Sequence, residues 1–124
     1  MKKFGLLLLF TVLFFINTAA QRSAPARQCS KVSVETSYIS ALDGDPMTFT
    51  AKITGAGKLK LRYIWTLSNG GGILEGQGTP EIKVDTLGYQ GEEIKATLTV
   101  RGLSKRCKNR ASATGFVKPK PYLN

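Results

Sequence analysis

From Met47 to Thr54 apolar and polar side chains alternate without a break. Met47, Phe49, Ala51 and Ile53 fall on one side, and Thr48, Thr50, Lys52 and Thr54 on the other. A period of two marks a strand with one buried face. The same period recurs at 31–37, with Val32 and Val34 inward, and at 60–67, with Leu61, Tyr63, Trp65 and Leu67 in phase. It returns at 81–85 through Ile82 and Val84, and at 93–101 through Ile94, Ala96, Leu98 and Val100. Ile73-Leu74 is a shorter candidate. Residues 111–117 are weakly patterned, with Ala111, Ala113 and Val117 inward and Ser112, Thr114 and Phe116 outward.

Between these segments lie turn formers: Asp43-Gly44-Asp45-Pro46 within 40–46, Gly55-Ala56-Gly57-Lys58, Ser68-Asn69-Gly70-Gly71-Gly72, Gly76-Gln77-Gly78-Thr79-Pro80 and Leu87-Gly88-Tyr89-Gln90-Gly91. Asn-Gly and Gly-Gly supply the positive φ that tight hairpins need. About seven short strands with turns every eight to twelve residues, and no helical period, predict an all-β fold. The expected form is an antiparallel immunoglobulin-like β-sandwich. An OB-type barrel is the alternative, although such barrels usually carry a helix.

The ends read differently. Met1-Lys2-Lys3 is positive, Phe4–Ile16 is uncharged and apolar, and Asn17-Thr18-Ala19-Ala20 is small or polar. That order is the anatomy of a secretory signal peptide over residues 1–20, with cleavage expected after Ala20. An uncleaved anchor is the other possibility, but thirteen residues fall short of the ~20 that a membrane span needs. The expected divisions are a flexible leader at 21–28, the sandwich at 29–118 and an extended tail at 119–124. Lys118-Pro119-Lys120-Pro121 favours a polyproline-like tail. A lipid anchor on Cys29 is not expected, because Ala26-Arg27-Gln28 precedes it.

Export changes how the two cysteines are read. In an oxidising compartment Cys29 and Cys107 form one disulfide. A metal site is the weaker alternative, since the chain has no histidine to complete it. The net charge of +10 falls by the two leader lysines to +8. A protein this basic is drawn to polyanions, although scattered lysines also serve solubility alone.

Without histidine there is no Ser-His or Cys-His nucleophile and no imidazole base. Asp43/Asp45 and Glu92/Glu93 are the close carboxylate pairs, and both fall in predicted loops, where turn formation accounts for them. Asp43-Gly44-Asp45 is too small an oxygen set for Ca²⁺. The glycine-rich turns precede no helix, so they are not phosphate cradles. Tyr63 and Trp65 are assigned to the core, and Tyr89 to the corner before the 93–101 strand, pinned through its hydroxyl. The site-like feature left is a basic turn with Arg101, Lys105, Arg106, Lys108 and Arg110, to which Lys118 and Lys120 are close in sequence; a solvated hairpin tip is the plainer reading of the same residues.

Residues 61–103 carry a pattern: Tyr63-x-Trp65, Gly72-x-Leu74, Gly76-x-Gly78-Thr79-x-x-Ile82-x-Val84-x-Thr86-x-Gly88, and Ile94-x-Ala96-Thr97-Leu98-x-Val100-x-Gly102-Leu103. It resembles the PKD-like immunoglobulin-type modules of bacterial secreted and envelope proteins. Cys29-x-x-Val32-x-Val34, Gly44-x-Pro46-Met47-Thr48-Phe49 and Cys107 with Ala111-Ser112-Ala113-Thr114 extend the likeness over residues 29–118. The Trp-x-Phe-Gly-Asp-Gly turn of PKD domains is replaced here by Trp65-Thr66-Leu67-Ser68-Asn69-Gly70.

The resemblance implies spacers or binding surfaces and no catalytic residues. The expectation is therefore a periplasmic or secreted module, neither an enzyme nor the holder of a cofactor or metal. It would contact a protein or an envelope component, with edge strands as the place where a partner adds. The alternative is a polyanion-binding protein, for lipopolysaccharide or nucleic acid, acting through the turn at 101–110.

Overall fold

The computed structural model describes residues 28–37, 40–69 and 71–122. The expected signal peptide, the leader up to Arg27 and the last two residues of the tail lie outside the described residues. Residues 119–122 carry no regular structure, and Tyr122 is exposed.

Eight strands form: β1 Lys31–Thr36, β2 Ser40–Leu42, β3 Met47–Thr54, β4 Arg62–Leu67, β5 Ile73–Glu75, β6 Glu81–Val84, β7 Glu93–Arg101 and β8 Arg110–Lys118. Seven match the alternating segments of the sequence. The eighth, β2, falls where a turn cluster was expected. It pairs in parallel with β8, Ser40 opposite Phe116 and Leu42 opposite Lys118. The turn proper is confined to 43–46, where Asp45 donates its N–H to the Leu42 carbonyl at 2.9 Å.

The strands make two four-stranded sheets, ordered β1-β3-β6-β5 and β2-β8-β7-β4. All pairings except β2–β8 are antiparallel. With β1 and β2 taken as two halves of one first strand shared between the sheets, this is the constant-type immunoglobulin order. The fold is therefore an all-β, immunoglobulin-like sandwich.

Each strand turns its apolar phase to the other sheet. Met47, Phe49, Ile82 and Val84 meet Trp65, Ile94, Ala96, Leu98, Val100 and Val117, all buried. Burying one side chain of this size contributes about 1.5–3 kcal/mol. Trp65 sits in this core as expected, and Tyr63 is half-buried against it. The Trp65 indole N–H is satisfied by the Thr79 carbonyl at 2.8 Å.

Strand β4 lies at an edge, and part of that edge is covered. The Gln77 amide donates to the Trp65 carbonyl at 3.1 Å and accepts from the Trp65 N–H at 3.1 Å, filling one rung of a missing strand. Covering an edge in this way blunts unwanted strand addition.

The disulfide between Cys29 and Cys107 is present, with Cα atoms 5.3 Å apart. It fastens the residues just before β1 to the β7–β8 loop.

Candidate anion-binding surface

The basic turn is three pieces of structure. Arg101 is the last residue of β7, Arg110 is the first of β8, and Lys105, Arg106 and Lys108 lie in the loop between them. All five are exposed. Sequence proximity misplaces the two tail lysines, however. Lys118 ends β8 at the far side of the molecule, beside Leu42, and Lys120 lies near Gly44. A nine-residue strand spans about 27 Å, so neither lysine joins the cluster.

Other cations take their place. Antiparallel pairing of β4 with β7 sets Arg62 directly opposite Arg101. The β3–β4 loop brings Lys58 and Lys60 to the same end. Gly102 holds this loop close to the β7–β8 loop: its φ is +104°, and a Cβ there would collide with the Lys60 carbonyl oxygen. Lys31 opens β1 opposite Thr54, and with Lys108 it lines a shallow groove of about 490 Å³. All four added cations are exposed.

Among the described residues no carboxylate balances this end. Asp43, Asp45, Asp85, Glu92 and Glu93 belong to the loops and strand starts of the opposite end. There they build turns: Asp43 Oδ1 accepts the Gly88 N–H at 2.8 Å, and Asp85 Oδ1 accepts the Leu87 N–H at 3.0 Å. The ion pairs among the described residues, Lys52–Glu35 at 3.8 Å and Lys83–Glu75 at 3.7 Å, use other lysines. The two ends are separated by the length of β7, about 27 Å, more than three Debye lengths at physiological salt, roughly 8 Å each. The acidic end therefore does not screen the basic one.

An open cleft of about 910 Å³ indents the basic end, lined by the disulfide, Leu59, Leu103 and Arg106. Leu59 is 52% exposed, so the cleft carries apolar surface beside its charge. Chemically this end can attract and hold an anion.

The corner expected of Tyr89 is built otherwise. Among the described residues its hydroxyl has no hydrogen-bond partner, and Thr86 does the pinning. The buried Thr86 hydroxyl accepts the Gly44 N–H at 2.9 Å and donates to the Asp45 carbonyl at 2.6 Å.

Lys31, Lys58, Lys60 and Arg62 were not singled out in the sequence. Arg62 did carry a signal. It lies in the outward phase of its strand, as Arg101 does, and setting Trp65 opposite Leu98 brings the two together.

No protein-family model matches the chain, and no curated protein matches it in sequence. Among the described residues no helix is long and apolar enough to cross a membrane.

Proposed function

We propose that this protein is a non-catalytic, extracytoplasmic immunoglobulin-like module of the PKD-like kind that binds a polyanion through its basic end. One observation carries the reading: exposed cations from three separate segments converge on one end, with no carboxylate among them in the described residues. Scattered solubilising lysines would have no reason to segregate in this way. Export rests on the signal-like residues 1–20 and fits the disulfide, which forms in oxidising compartments. The PKD-like assignment rests on the motif residues between Tyr63 and Leu103 and on the strand order.

Strand addition of a protein partner is the less favoured contact. Of the four edge strands, β4 is partly covered by Gln77, and β2 and β5 have only three residues each, which leaves β1 as the edge of ordinary length.

The test is retention on heparin across a salt series. The wild type should be retained, with log K falling linearly in log salt by about 0.7–0.9 for each anionic group contacted. Lys105→Ala, Arg106→Ala and Lys108→Ala combined should elute at clearly lower salt. Passage of the wild type through heparin, polyphosphate and anionic-vesicle supports at low salt would sink the proposal.

A further inference from the structure

Three of the cations differ from the rest in where they stand. Arg62, Arg101 and Arg110 are on the outer face of one sheet, on the three neighbouring strands β4, β7 and β8. The others are on loops or on β1. Directly opposite residues in an antiparallel pair have Cβ atoms about 4.5–5.5 Å apart, and diagonal neighbours about 7–8 Å. Arg62 is directly opposite Arg101. Arg110 is opposite Thr99, hence diagonal to Arg101. Like charges set directly opposite destabilise a sheet, and no carboxylate is paired with any of the three among the described residues.

Thr99 sits at the centre of this arrangement. It is opposite Arg110 on one side and Ile64 on the other, and diagonal to Arg62. Its side chain is half-buried, and its hydroxyl has no hydrogen-bond partner among the described residues. By register, three arginines therefore flank one spare hydroxyl on the outer face of a three-stranded platform. Arginine forks match the oxygens of tetrahedral oxyanions in bidentate fashion, which lysine cannot reproduce.

We propose that Arg62, Arg101, Arg110 and the Thr99 hydroxyl form a binding site for a phosphate or sulfate ester group. The proposal rests on the polyanion reading of the basic end and deepens it by naming the group recognised. The loop cations Lys105, Arg106 and Lys108 then supply long-range attraction, and the sheet arginines supply the fit. The Leu59–Leu103 cleft begins beside Arg101, through Gly102, so an apolar part of the ligand has surface to rest on.

Charge-conserving variants test this. Arg62→Lys, Arg101→Lys and Arg110→Lys are combined in the full mature chain, and affinity is measured at fixed salt for heparin, long-chain polyphosphate and vesicles containing phosphatidylglycerol. Net charge is unchanged, so diffuse attraction is kept while bidentate contacts are lost. The expected result is a loss of about tenfold or more toward at least one probe, and the probe most affected names the source of the ester. Arg106→Lys on the loop should change affinity by less than about twofold, since a solvated point charge is preserved. Thr99→Val should weaken the same probe further. If the triple lysine variant binds all three probes as the wild type does while the loop alanine variant loses binding, the arginine site is wrong and polyanion binding stands. If the wild type binds none of them, both fall.

Discussion

Thr86 is fully buried and polar, and it joins two turns that are far apart in sequence. Its hydroxyl stands between the 43–46 turn and the β6–β7 corner. Thr86→Val keeps the shape and strands the Gly44 N–H and the Asp45 carbonyl. Gly44 and Asp45 are themselves exposed and the two bonds only part-buried, so the variant should lose about 1 kcal/mol, the net worth of a hydrogen bond, with an unchanged denaturant slope in urea unfolding. Thr86→Ser should recover most of that loss. Tyr89→Phe should lie within about 0.5 kcal/mol of the wild type, because no bond is removed; a large loss there would restore the tyrosine to the corner. The sequence held the clue, since Thr86 continues the inward phase of Ile82 and Val84. A hydroxyl in that phase signals a buried partner, whereas the aromatic ring of Tyr89 packs without needing one.

Strands were legible wherever one face is buried and the other wet, because the alternation that folds them is written locally. Strand β3 reads off as Met47, Phe49, Ala51 and Ile53, and Met47 and Phe49 prove fully buried. Strand β2 was not legible, because three residues carry no period and its existence depends on β8, more than seventy positions later. Register is hidden for the same reason. Nothing local says that Arg62 meets Arg101, yet that pairing separates a scattered charge from a surface. It also yields a stability prediction at the level of the β4–β7 ladder. Arg62→Thr removes a directly opposed like-charge pair and adds a residue of high strand propensity, so it should stabilise the domain by about 0.2–1 kcal/mol. The same variant should elute earlier from heparin. Stability gained together with binding lost would mark Arg62 as kept for a ligand; destabilisation would mean that the arginine serves the sheet itself.

Across the molecule, charge and covalent linkage meet at one end. The Cys29–Cys107 bridge spans 78 positions and closes the start of β1 onto the loop that carries Lys105, Arg106 and Lys108. Loop closure of that length stabilises by about 4 kcal/mol in the chain-entropy account. Cys29→Ser with Cys107→Ser should therefore lower the unfolding midpoint markedly. Its effect on binding should be smaller, because the bridge positions only the loop cations. Arg62, Arg101 and Arg110 are held instead by the β4–β7–β8 ladders, which the bridge does not touch. At a temperature where the serine variant is still folded, it should keep its sensitivity to Arg→Lys exchange on the sheet. Its salt dependence should become shallower as the loosened loop contributes fewer contacts. Loss of all sensitivity to the arginine exchange in that folded variant would mean that the loop, and not the sheet, carries the recognition.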